Sequence, residues 1–471
     1  MSLQPPVAPL RVPQLPRDFV WGVSTAAYQI EGAVTEDGRG PSSWDAFCAE
    51  PGRVLNGDTG DVACDHYHRY PEDIALMQRL GVNAYRFSFA WSRIQPNGAG
   101  PINPAGLDFY DRIVDQLLEA GVEPSPTLFH WDTPLALEQN GGWLNRETAL
   151  RFGEYAQIVG GHFADRIPRW ITINEPVVLT MLGYGAGIQA PGLQLGFDAL
   201  PAAHNLLLGH GLAVRALRAA GASHIGVANN HAPSWAASDA ADDQQAAALY
   251  DNVANWLFAD PILTGSYPEP LAELLNGVPS EDLEIISTPI DWYGINYYNP
   301  TAVAAPGYAA ARSDNAGPAL IDGHELDSSL PFELVEIEGY PRTDFDWPVV
   351  PAGLSELLQS FATRYGDALP PIYITENGAA INDGPDADGV IDDTHRIEYT
   401  DAHLHAIAEA IADGADVRGY FHWSLMDNFE WAVGYSQRFG LVHIDYETLK
   451  RTPKKSFHWY RSVIEANRTR A

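Results

Sequence analysis

Eight short runs rich in β-branched and aromatic residues, near positions 19–22, 84–89, 123–129, 170–174, 225–229, 291–296, 372–375 and 418–423, recur along the chain. Amphipathic stretches at 105–120, 146–163, 203–219, 244–258, 353–365 and 401–412 occupy most of the intervals between them. Strand alternating with helix predicts a parallel sheet, because a parallel neighbour is reached only by a crossover long enough to hold a helix. Eight repeats predict that the sheet closes. The expected fold class is therefore α/β, a single (β/α)8 barrel with extended loops at the C-terminal face of the strands. Proline and glycine punctuate the elements throughout instead of gathering at one boundary. This predicts one barrel domain over 18–471 behind an N-terminal extension at 1–17. Residues 300–349 are the exception, fifty residues of little periodicity after the sixth strand. A loop of that length is expected to lie over the mouth of the barrel and shape the outer part of a binding site.

Two of the runs end alike. Thr172-Ile173-Asn174-Glu175-Pro176 and Ile374-Thr375-Glu376-Asn377-Gly378 each carry a buried-strand pattern into a glutamate and then a breaker. A carboxylate in that position is held by a rigid frame at the end of the sheet where parallel α/β folds place catalysis. A lone strand-end glutamate is as often an ordinary solvated acid, but two such sites with asparagine beside each acid form a candidate pair. Cleaving an acetal between sugars needs that pair: one group protonates the departing oxygen and the other stabilises or attacks the developing oxocarbenium carbon.

With these motifs in place the chain resembles glycoside hydrolase family 1, the retaining β-glucosidases and β-galactosidases, from about Phe19 to Tyr460. The amino-terminal signature of that family stands as Phe19-Val20-Trp21-Gly22-Val23-Ser24-Thr25-Ala26-Ala27-Tyr28-Gln29-Ile30-Glu31-Gly32-Ala33, and the nucleophile signature as Tyr373-Ile374-Thr375-Glu376-Asn377-Gly378. The resemblance implies Glu175 as general acid/base and Glu376 as nucleophile. It implies further that Gln29, His130, Trp131, Asn174, Glu430 and Trp431 bond the non-reducing sugar, with Asn174 on its 2-hydroxyl and Trp423 as the stacking floor. Arg86 and Tyr298 are implied as contacts of Glu376, Asn296 as a supporting residue, and Trp347 as an aromatic of the leaving-group site. Many relatives carry Trp after Asn-Glu-Pro; here Val177 follows Pro176, which predicts an open leaving-group site. No cofactor and no metal are implied.

Composition narrows the partners. With 28 Lys+Arg against 61 Asp+Glu, a formal charge of −33 repels nucleic acid and anionic membranes but leaves a neutral sugar unaffected. The expected partners are small β-glucosides and β-linked disaccharides, with a homo-oligomer left open. Two cysteines, Cys48 and Cys64, are too few for a disulfide framework, although a single bridge between them stays open. The first eighteen residues are proline-rich with no apolar core, and no run approaches the length of a membrane span, so a soluble cytoplasmic enzyme is expected. His66 and His68 raise a barrel metallohydrolase as a competing enzyme class, but a catalytic metal needs about three protein ligands and no third is fixed nearby. Within the resembling family, a 6-phospho-β-glucosidase and a non-catalytic sugar-binding relative also compete with the β-glucosidase reading. Glu430 argues against the first by charge and the presence of both glutamates against the second.

Overall fold

The eight runs fold as strands β1 (Val20–Ser24), β2 (Ala84–Ser88), β3 (Glu123–Phe129), β4 (Trp170–Asn174), β5 (Ile225–Asn230), β6 (Trp292–Asn296), β7 (Ile372–Asn377) and β8 (Val417–Trp423). The structure is a computed structural model describing residues 12–275, 277–308 and 330–469. Each strand pairs in parallel with its chain neighbours, and β8 returns to β1 with Val20 opposite Gly419 and Ser24 opposite Trp423, closing the barrel.

The crossover helices start where the sequence sets them. Pro104 and Pro351 open Pro104–Glu119 and Pro351–Tyr365 at the first helical turn, where a missing N–H costs nothing. The Asn145 side chain caps Arg146–Phe163 by accepting from the Glu147 amide. The expected helix at 244–258 differs: it starts earlier, as Ala241–Asp251, and widens into a π-type turn over Asn252–Trp256 before continuing as Leu257–Thr264. Asn255 explains the widening, since its side chain leaves the helix to bond the Ala232 carbonyl behind β5.

Period-two alternation along the strands decides what fills the barrel. Ala84, Ile171, Ala228, Trp292, Tyr373 and Phe421 come from six different strands yet form one apolar cluster, so they plug the lumen. Two residues further along β2, β5, β7 and β8, on the same face, stand Arg86, Asn230, Thr375 and Trp423; four further along β6 stands Asn296. A polar layer thus lies directly above an apolar floor.

The loops above that layer are pinned by buried ion pairs. Lys454, one of only three lysines, is 1% exposed and donates to Asp427 at 2.7 Å; Arg438 bonds the other oxygen of Asp427 at 2.8 Å. Arg396 pairs with Asp393 and donates to backbone carbonyls of Ala379, Ile381, Arg438 and Phe439, stitching the segment after β7 to the segment after β8. In the long segment at 300–349, Thr301–Ala304 pairs antiparallel with Glu333–Val335 and parallel with Ser234–Ala236, a small sheet that aperiodic sequence did not announce. Its residues 309–329 lie outside the described residues, as do residues 1–11 of the expected extension. From the rest of that extension the Leu15 amide donates to Asn467 in the last helix. Cys48 and Cys64 are both buried free thiols, Cys48 accepting from the Tyr28 hydroxyl and Cys64 donating to the Asp427 carbonyl. Among the described residues no helix is long and apolar enough to cross a membrane.

Gly378 ends the β7 motif for a steric reason. A Cβ there would sit 1.7 Å from the Trp423 carbonyl oxygen, a backbone atom that cannot step aside. Gly378→Ala is expected to lower stability by about 2–4 kcal/mol and to cut activity with it, because β7 and β8 must part beneath Glu376 and Trp423. Urea unfolding midpoints check this, and a midpoint equal to the parent's would contradict it.

Candidate active site

At the C-terminal ends of the strands the polar layer opens into a cavity of about 840 Å³. Glu175, Glu376, His130, Trp131, Tyr298 and Trp423 line its inner part. Glu175 follows β4 at φ 43°, and Trp131 and Trp431 sit at φ 72° and 52°. Non-glycine residues in this left-handed region are strained, and three together at one cavity mark backbone bent to aim side chains.

Arg86 is a buried cation that reaches both strand ends named by the motifs. It is 1% exposed and bonds one carboxylate oxygen of Glu376 and the Thr375 carbonyl, while its other nitrogen donates to Asn174 Oδ1. The phenol of Tyr298 donates to the second Glu376 oxygen at 2.7 Å. Glu376 is therefore held by a cation and a hydroxyl.

Glu175 is held by amides. Its Oε1 accepts from Asn296 Nδ2 at 2.7 Å and from Asn230 Nδ2 at 3.2 Å. The amide orientations are fixed by logic that starts at Arg86, which can only donate. The Asn174 atom facing it must be the oxygen, so the Asn296 atom at 3.0 Å from that oxygen must be the nitrogen. Burial, and then the charge of Glu376, push the Glu175 carboxyl up to about 8. Burial, and then Arg86, hold His130 well below the ordinary imidazole range, so its ring is neutral.

The remaining sequence-predicted residues gather on the opposite wall. Gln29 lies in the one-turn helix Ala27–Ile30 and donates to Asn428 Oδ1 at 3.0 Å and to the Phe429 carbonyl at 2.9 Å, with Glu430 at 3.5 Å. Trp131 donates its indole N–H to the Asn174 carbonyl and packs on Trp431 with ring centroids 4.6 Å apart. Asn174 spends its amide on His130 Nε2 at 3.0 Å, so a sugar hydroxyl would have to displace or share that bond. Trp347 stacks on Phe345 at 4.7 Å and lines the outer cavity. Val177 is half-buried and packs on the core, whereas Val178 and Leu182 line the wall. His66 and His68 are elsewhere: His66 is buried on Asp73 and His68 is exposed between Asp65 and Glu36. Among the described residues no three His, Cys, Asp or Glu side chains cluster as a metal site would need. Sequence reasoning missed Asn230 and Asn428. Asn230 ends its strand one residue beyond the expected boundary, inside a strand-end Asn229-Asn230-His231 that was a legible signal.

Residues 12–469 match the model of glycosyl hydrolase family 1. The chain belongs to this family. Among its relatives, the thermostable beta-glucosidase B of Thermobispora bispora is 47% identical over 458 residues, covering 96% of this chain and 91% of that one. The bifunctional beta-D-glucosidase/beta-D-fucosidase of Bifidobacterium breve is 43% identical over 468 residues, covering 95% and 98%. Among solved structures, the psychrophilic beta-glucosidase BglU of Micrococcus antarcticus superposes with a TM-score of 0.91 at 45% identity, over 97% of this chain and 98% of that one. The closed eight-stranded parallel barrel is thus that of a glycoside hydrolase.

The raised carboxyl has a checkable origin. Glu175 is protonated at neutral pH and ionises as pH rises through about 8. Replacing Glu376 with Gln removes the second cause and leaves burial, so the Glu175 transition should move down by about one pH unit. Carboxyl infrared or carbon NMR titration reads it directly; an unmoved or raised transition would contradict the assignment.

Proposed function

We propose that the protein is a retaining β-glucosidase. It removes the terminal non-reducing β-D-glucosyl unit from cello-oligosaccharides and from aryl and alkyl β-glucosides, with β-galactosides and β-fucosides as further substrates. One observation carries this reading: two buried glutamates face one cavity in contrasting settings, Glu376 bonded by Arg86 and Tyr298 and Glu175 by amides. A double displacement needs that division.

In the first step a Glu376 oxygen forms a bond to the anomeric carbon while the bond to the leaving oxygen breaks, its electron pair going to that oxygen. Glu175 delivers its proton there, so the aglycone departs as a neutral alcohol. The ester removes the charge of Glu376 and with it one cause of the raised Glu175 carboxyl. Glu175 is then an anion, and takes a proton from the water that attacks the anomeric carbon as the ester bond breaks. Acid becomes base without any change of shape.

Substrate holding follows from the cavity wall. His130, Glu430 and Trp431 in the wall, with Gln29 and Asn174 beside it, are the polar groups for ring hydroxyls, while Trp131 and Trp423 offer ring faces for the C–H side. Trp347 serves the leaving group. Glu430 in the wall repels a phosphorylated sugar, and both acids are present, which disfavours a binding-only relative. The same proposal sets the enzyme in the cytoplasm, in carbohydrate metabolism at the short-oligosaccharide end of cellulose degradation.

Product NMR during hydrolysis of nitrophenyl β-glucoside should show the β-anomer of glucose first; the α-anomer first would overturn the double displacement. Glu376→Gln should lose about 10³-fold or more on every substrate, since no nucleophile remains. Glu175→Gln should lose about 10²–10⁴-fold on alkyl glucosides and far less on glycosylation by dinitrophenyl glucoside, whose leaving group needs no proton. Equal losses on both substrates would remove Glu175 from the acid role.

A further inference from the structure

Resting on the reading of Glu175 as acid/base, we propose that Asn230, at the end of β5, is a positioning residue that with Asn296 confines the catalytic proton to Oε2 of Glu175. Both amides donate to the same oxygen, Oε1, at 3.2 and 2.7 Å. In a carboxylic acid the carbonyl oxygen is the better acceptor and the hydroxyl oxygen the donor. Two N–H groups on Oε1 make it the carbonyl and leave the proton on Oε2.

The two amides are not equivalent. Asn296 is fully buried and locked by Thr375, whose hydroxyl donates to its carbonyl at 2.6 Å, and by Asn174 at 3.0 Å. Asn230 is half-buried, lines the cavity and bonds Glu175 from the solvent side. It can therefore be changed with little loss of packing. The charged and titratable groups facing Glu175 are Glu376 on β7, Arg86 on β2 and Tyr298 after β6, with neutral His130 beyond Asn174; their own hydrogen bonds run to one another and to Asn174 and leave Asn230 to Glu175. An N–H donor also favours the ionised carboxylate over the neutral acid, so Asn230 trades some acidity range for proton placement.

Removing the donor should thus produce two effects of opposite sense. The alkaline limb of kcat/KM should move up by about one pH unit, because a bond favouring the anion is gone. At the same time glycosylation by methyl or hexyl β-glucoside should fall about tenfold relative to dinitrophenyl glucoside, because the proton is no longer confined to the productive oxygen. A side chain that only fills space would move neither in this combination.

The test uses Asn230→Ala and the isosteric Asn230→Asp, with pH profiles of kcat/KM on hexyl and dinitrophenyl β-glucosides for each variant and the parent. Ala removes the donor alone, whereas Asp keeps the shape, loses the N–H and adds a carboxylate beside Glu175, so both variants should show the selective loss and a raised limb, raised further in Asp. A parental profile for Asn230→Asp, or a change confined to KM for the larger leaving group, would assign Asn230 to packing or leaving-group contact and overturn the proposal. An alkaline limb in the parent that is unaffected by Glu175→Gln would instead sink the acid/base reading itself, so the two failures are distinguishable.

Discussion

The guanidinium of Arg86, sealed in the middle of the barrel, sets the terms for everything around it. A buried cation costs several kcal/mol unless a partner charge and acceptors meet it. Glu376 supplies the charge, and the Thr375 carbonyl and Asn174 Oδ1 supply acceptors. From that one donor-only group the orientation of the next amides follows, through Asn174 to Asn296 and on to Glu175. The charge of Glu376 adds to burial in raising the Glu175 carboxyl, against a smaller lowering by Arg86 itself.

The rest of the fold can be read as support for that arrangement. The apolar plug of Trp292, Tyr373, Phe421 and their neighbours keeps water from reaching Arg86 from below. The cluster of Lys454, Arg438 and Asp427 fixes the segment after β8 from which Asn428, Glu430 and Trp431 project. Asp427 is held below the ordinary carboxylate range because the two cations outweigh its burial. Asn428 then directs the amide of Gln29. Its own side-chain nitrogen donates to the Met426 carbonyl, so its oxygen faces Gln29 Nε2 and the Gln29 oxygen is turned away from the protein's own acceptors.

Much of this was legible in the sequence because it follows from periodicity and from strand ends. The eight strands fall within a few residues of the runs that predicted them, since nearly all of their residues are buried, although β3 carries Pro124 and Pro126. Glu175 and Glu376 were visible as acids between a strand and a breaker, and Arg86 as a charge with no business in an apolar strand unless paired. Three things were not visible. The sheet of Ser234–Ala236, Thr301–Ala304 and Glu333–Val335 is made of segments three or four residues long, too short to carry a period. Asn428 acts through a hydrogen bond from Gln29, far along the chain, and no local pattern records such a partner. The packing of Val177 depends on which way the turn after Pro176 rotates, which the left-handed backbone of Glu175 decides and composition does not.

The account makes Glu376 the group that bonds the anomeric carbon, and this is open to direct chemical capture. Incubation with a 2-deoxy-2-fluoro-β-glucoside bearing a dinitrophenolate leaving group slows turnover of the ester more than its formation. Proteolysis and mass spectrometry should then find one fluoroglucosyl unit, on the peptide that contains Glu376. The sugar on Glu175 or Glu430, or an intact unlabelled protein that nevertheless releases dinitrophenolate with inversion, would contradict the division of labour between the two glutamates.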